Sequence, residues 1–412
     1  MRRVFRSWLA ALAVLGASTA ALPAQEKIAA PASPLDLDAC LALAEVRQPA
    51  LAAARASLMS AQDGSAALSN LPHYARLAAR DLRIRQSQAC LGVTIASAAL
   101  TQAEWETRYA VTRNYFSVTY VRMQLKLLND VLGDLRKARK KTEDLLKIGD
   151  PSYKVTQLDL DQFDINIELV EVRKVEAVVG EKRAFAALRE AIGVGPDYPL
   201  DIPTSSKLPS PVASLDRDEL IKLAIANRGE ITQANSAKTV TELEVEAQAK
   251  KWFGVQNGTF AQGSDIHAQP IPQGIMNGEY RPGAIGIEMP TMLFGRRQDR
   301  IARADDLSQR AGAVVDKTYN LVSLETDNGY LKYVEARERL AKLGSVRPKA
   351  EKLKDRAYKR LESGTGTGGE YILAATTVDT IQGQYNEQLY LHALALAGLE
   401  RITAGGYRIY PK

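Results

Sequence analysis

Four acids, Asp161, Asp164, Glu168 and Glu171, recur at helical spacing and form the densest chemically suggestive row in the chain. On one face of a helix such a row is either solvated or, in the wall of a tunnel, attracts cations. A second pattern, Gly364-Thr365-Gly366-Thr367-Gly368-Gly369, satisfies the spacing GxGxxG and is followed by Glu370. Nucleotide binding at that spacing requires a strand before it and a helix after it. Here a helical pattern precedes it, so the glycines read as a turn. His73, His267 and His392 are far apart and show no metal-ligand spacing; His392, among Leu and Ala, reads as a packed helix residue. Cys40 and Cys90 give neither a disulfide framework nor a zinc motif. If antiparallel helices reverse at Pro72, the two cysteines stand ~20 Å out of register, beyond disulfide reach. No nucleophile elbow, P-loop or zinc motif is present. The chain is read as a non-enzyme with no catalytic, metal or cofactor-binding residue and no cofactor.

The elements that must carry these residues are long helices. Arg296 to Leu361 contains no Pro before Pro348 and only Gly312, Gly329 and Gly344. As one helix it would run about 100 Å at ~1.5 Å per residue. Such a rod cannot bury itself in a compact domain and needs other long helices beside it. Val111, Val118, Leu125 and Leu132 repeat every seven residues, with Val121, Leu128 and Leu135 three residues after members of that row. This is a coiled-coil stripe. Gly149-Asp150-Pro151 ends that helix, and a second follows from about Ser152 to Ile192, with Leu158, Ile165, Val172 and Val179 again spaced by seven. A last helix is expected from about Glu370 to Thr403.

The chain repeats itself. Leu35, Asp36, Asp38, Leu43 and Ala44 recur at an offset of 180 as Leu215, Asp216, Asp218, Leu223 and Ala224. Asp36 and Asp216 read as helix N-caps. Tyr115, Leu125, Leu128, Leu146 and Gly149 recur at an offset of 215 as Tyr330, Leu340, Leu343, Leu361 and Gly364. Duplication explains both series. The growth in offset maps to an insert near Trp252–Glu288, rich in Gly, Pro, Gln and Asn. It reads as a β-hairpin with strands near Trp252–Ile266 and Tyr280–Thr291 and a turn-rich middle holding Pro270, Pro272, Gly274, Asn277 and Gly278. Its apolar residues Trp252, Phe253, Phe260, Ile285, Ile287 and Met289 suit either a membrane hairpin or the core of a small soluble one. The fold class is therefore mainly α: long antiparallel coiled-coil helices in two pseudo-repeats, with a β-hairpin inserted in the second. The domains expected are a signal peptide over 1–24, a first helical repeat over 25–193 with its hairpin absent or much shortened, a linker over 194–214, a second repeat over 215–406 with the hairpin at about 252–291, and a tail over 407–412.

Arg2, Arg3 and Arg6 before the apolar run Trp8–Leu15 carry the export reading. No later stretch is apolar enough for a transmembrane helix. The formal charge of the chain is +6, half of it from those three arginines. The remainder is too weak to argue for nucleic acid.

Taken together, the signal peptide, two helical halves, one mid-helix hairpin and the paired turns KIGD and ESGTGTGGEY resemble the outer membrane efflux (TolC) family. MPTMLFGRRQDRIARA (Met289 to Ala304) is similar to the family's strand-to-helix passage, and YNEQLYLHALALAGLERITAG (Tyr385 to Gly405) to its closing helix. The resemblance implies a homotrimer in which each chain gives helices to a periplasmic α-barrel and strands to an outer-membrane β-barrel. The implied function is a passive conduit for substrates delivered by an inner-membrane transporter and a periplasmic adaptor, within an efflux or secretion system. The implied partners are copies of the chain, those two proteins and outer-membrane lipid. By position, Gly149, Asp150, Gly364, Gly366, Gly368, Gly369 and Glu370 would lie at the periplasmic tips, where the tunnel is gated and the adaptor docks. The family's usual chain supplies a strand pair from each repeat; here only the second repeat offers one. The alternative is an exported coiled-coil structural or adaptor protein without a complete pore.

Overall fold

The computed structural model describes residues 34–72, 74, 79–210, 214–251, 271–272, 279–280, 293 and 295–410. The first repeat comprises α1 (Leu37–Arg47), α2 (Pro49–Ser69), α3 (Leu82–Ile148) and α4 (Gln157–Ile192). The second comprises α5 (Arg217–Asn227), α6 (Gly229–Lys250), α7 (Arg297–Glu362) and α8 (Gly368–Ile402). Between α6 and α7, β1 (Ile271–Pro272) pairs antiparallel with β2 (Glu279–Tyr280), Ile271 opposite Tyr280. The signal-peptide reading falls outside the described residues, as do Trp252, Phe253, Phe260, Ile285, Ile287 and Met289. No helix among the described residues is long and apolar enough to cross a membrane.

The duplication has local causes in both halves. Asp36 accepts a hydrogen bond from the Ala39 amide at 2.8 Å, and Asp216 does the same for Asp218 and Glu219, so α1 and α5 start 180 residues apart with the same cap. α3 and α7 start 215 residues apart. Each is followed by a glycine in the left-handed region, Gly149 at φ 68° and Gly364 at φ 71°. A side chain is disfavoured there, which is why both rods are broken by glycine. α7 runs as one element through Pro348, and CLGVTIAS (Cys90 to Ser97) is helical within α3.

Within the chain α3 packs against α2, α4, α6 and α8, and α7 against α5, α6 and α8. One apolar core joins Val111, Phe116 and Val118 of α3 to Leu188 and Ile192 of α4 and Leu396 and Leu399 of α8. A second joins Leu132, Leu135 and Leu145 of α3 to Phe163 and Ile167 of α4 and Leu361 and Tyr371 of the second repeat. The α3 stripe is thus a packed one, with Val121 and Leu125 half-buried. At the opposite end from Gly149 the rods are joined by buried charge. Arg85 of α3 binds Glu244 of α6 through Nη1 and Nη2 and Asp81 through Nε at 3.2 Å. Gln248 donates to Glu244 at 2.7 Å and accepts from Arg300 of α7 at 2.9 Å. Arg85 and Arg300 are related by the 215-residue offset.

One reading is corrected. Leu158, Ile165, Val172 and Val179 do not pack inside the chain: they are 64%, 60%, 58% and 40% exposed. α4 carries two apolar rows, and the protomer buries the other, Leu160, Phe163, Ile167 and Val170, against α3. In the insert, Ile271 and Pro272 pair with Tyr280 and Glu279, while Pro270, Gly274, Asn277 and Gly278 of the expected turn lie outside the described residues. Both cysteines are free. Burial pushes the Cys40 thiol up to about 12.

Candidate functional site

The glycine turns expected to share a role lie side by side. The amide of Lys154, four residues past the Asp150 turn, donates to the Gly364 carbonyl at 2.9 Å. A Cβ on Gly364 would stand 2.2 Å from the Tyr153 ring, and one on Gly368 would stand 2.6 Å from Asp159 Cβ. The second loop therefore fits the first only where it lacks side chains. Gly369 donates to Asp159 Oδ1 at 3.1 Å, while Asp159 Oδ2 accepts from the Thr156 amide and hydroxyl at 2.8 and 2.9 Å. One buried carboxylate thus caps α4 and grips the start of α8.

Of the remaining residues of the cluster, Gly149, Asp150 and Glu370 are exposed and Gly366 is buried. Asp150 accepts from the Ser152 amide and hydroxyl at 2.9 and 2.8 Å, and these bonds hold its carboxyl below the usual carboxylate range. Glu370 faces Arg360 at 3.3 Å. Gly149 has open space where a Cβ would stand, and a Cβ on Gly366 would press on Arg360. All seven residues lie at one end of the rods, with Gly149, Asp150 and Glu370 exposed and Gly364, Gly366 and Gly368 buried.

The acidic row divides in two. Asp164 meets Arg139 of α3 at 2.5 and 3.1 Å, and that guanidinium lowers its carboxyl pKa. Glu171 meets Arg136 at 2.5 Å. Asp161 is exposed and accepts from Gln157 at 3.4 Å, and Glu168 is exposed with no ion pair among the described residues. A surface of four free carboxylates is therefore reduced to two, because α3 supplies the counter-charges. Among the described residues no group of His, Cys, Asp and Glu could hold a metal ion.

Sequence reasoning passed over Asp159, Arg136 and Arg139. Asp159 carried a local signal: Thr156-Gln157-Leu158-Asp159 has the spacing of a capping box just before an apolar run. The arginines were findable from topology, since a hairpin folded about residues 151–152 sets position 139 opposite 164.

No family model matches the sequence, and no curated protein matches it. Solved structures do match. The outer-membrane channel OprN superposes with a TM-score of 0.71 over 90% of each chain at 16% identity. The outer membrane protein VceC from Vibrio cholerae superposes at 0.69, covering 90% of this chain and 97% of its own, at 15% identity. The MtrE outer membrane channel of Neisseria gonorrhoeae, in its open state, superposes at 0.66, covering 90% and 89%, at 15% identity. The chain has the fold of these outer-membrane channels, a TolC-like α-barrel protomer.

Proposed function

We propose that this chain is the outer-membrane channel component of a multipart efflux or secretion system. It is a member of the outer membrane efflux family, exported by its signal peptide, and a passive conduit for substrates handed over by an inner-membrane transporter and a periplasmic adaptor. The observation that carries this reading, beyond the fold, is a protomer with unfinished sides. α8 packs on both α7 and α3, whereas its pseudo-symmetric mate α4 packs mainly on α3. α6 packs on both α3 and α7, whereas its mate α2 packs on α3. The flank left open on α4 carries Leu158, Ile165, Leu169, Val172 and Val175, and α7 leaves Leu331, Val346 and Leu353 exposed. Copies of the chain joined α7 to α4 satisfy both sides and close a ring, for which a trimer is our assignment. Gly149, Asp150, Gly364, Gly366, Gly368, Gly369 and Glu370 then ring the periplasmic entrance and meet the adaptor. Asp161 and Glu168 are the acids left free to face a tunnel, and the 252–291 insert meets outer-membrane lipid.

A second reading is supported by one feature. The connection between α2 and α3 spans only residues 70–81, against 251–296 between α6 and α7. With one insertion per chain, an exported coiled-coil structural or adaptor protein without a complete pore is the alternative. Conductance of the purified oligomer in a planar bilayer separates the two. Stepwise single-channel currents support the channel; a stable oligomer that reconstitutes without current supports the spacer.

A further inference from the structure

His392 is fully buried on α8, and neither Nδ1 nor Nε2 has a hydrogen-bond partner among the described residues. Its ring lies 5.5 Å from that of Tyr333 on α7, tilted by 45°. One turn further along α7, Arg337 sets its guanidinium 5.5 Å from the other ring of that pair, Tyr333. Burying a polar ring with both nitrogens unpaired is costly even when it is neutral, and costlier when it is charged. From the structure we propose that His392 is an acid-sensitive latch between α7 and α8: protonation drives the two helices apart at the level of Tyr333.

Among the described residues the surroundings offer no counter-charge to a histidinium. From α7 come Tyr333 and the cation Arg337. From α3, Tyr115 belongs to the adjoining core and Tyr120 stacks on Tyr390 of α8, and burial raises both. From the carboxy-terminal turn comes Tyr407, pushed up to about 12. All three tyrosines therefore stay neutral near and below pH 7. Among the described residues no carboxylate of α3 or α4 bears on the ring: burial, then the Arg337 charge, hold the imidazole below its ordinary value. The sign follows. A histidine whose packed pKa is depressed contributes full stability above its ordinary range and loses it as pH falls. Once α7 and α8 part, the ring regains a pKa of ~6.5. The first pH unit below that favours the open form about fivefold, and further units approach tenfold each until the packed ring itself titrates.

The test is hydrogen exchange of the full-length protein in detergent at pH 7.5, 6.5 and 5.5, read by mass spectrometry. After correction for intrinsic exchange rates, peptides covering 328–340 and 386–398 should lose protection about fivefold between pH 6.5 and 5.5. Peptides covering 128–145 and 160–170 should not. His392→Phe and His392→Leu should remove the extra loss. A protection ratio between the two regions that stays constant with pH in the unaltered protein overturns the proposal without recourse to any variant. So does an equal acid response in a folded His392 variant.

Discussion

Replacing Ile165 and Val172 together by Asp puts two carboxylates on the open flank of α4, and the outcome can be sized from the protomer. Each residue already exposes about three-fifths of its surface, so neither substitution removes a contact within the chain. Helical content and the protomer's own unfolding should change little. In a ring the same residues are buried against the next copy. Full burial of a Val or Ile is worth about 1.5–3 kcal/mol, and three-fifths of that is about 1–2 kcal/mol each. Losing both weakens each contact by about 2–4 kcal/mol, or roughly 30- to 700-fold in dissociation constant. Burying unpaired carboxylates adds to the loss. Native mass spectrometry of the detergent-solubilised protein, across a dilution series, should show the unaltered chain as one closed oligomer and the double variant as protomers. Leu373→Asp on α8, a different helix, at a residue 70% exposed, is the reference. A double variant that keeps the oligomer's mass over the same dilutions would refute the ring built on α4, and with it the support drawn from the unfinished sides.

Other outcomes follow from single residues. Gly364→Ala should lower the thermal midpoint, since a left-handed residue costs about 1–2 kcal/mol with a Cβ and the Tyr153 ring must also move; Gly149→Ala, with the same backbone but open space, should cost less. Glu244→Ala leaves the buried Arg85 with only Asp81 as counter-charge and should destabilise by about 3–5 kcal/mol in denaturant unfolding. A change under about 1 kcal/mol there would mean that water reaches the network. In bilayers, Asp150→Asn and Glu370→Gln should reduce cation selectivity if these residues ring the entrance, and unchanged reversal potentials would remove them from it.

Much of the fold was legible because it is built from local signals written twice. Asp36 and Asp216, Gly149 and Gly364, and the heptads of α3 each act within a few residues, and so they can be read without knowing what lies alongside. α4 was harder. Its heptad row Leu158, Ile165, Val172, Val179 is as regular as that of α3, yet it lies on the side that the chain leaves open. Periodicity reports that a face is apolar and is silent on which neighbour covers it. The site divides the same way. The glycines stood out as breakers in their own helices, but the contact between Lys154 and Gly364, two turns 210 residues apart, exists only after both hairpins have packed.

Asp159 gives the turns a shared mechanical fate. One of its oxygens serves Thr156 and the other Gly369, so the two loops at this end are riveted through a single side chain. Lifting either from its seat strips a partner from the other, and the pair must travel as one body or not at all.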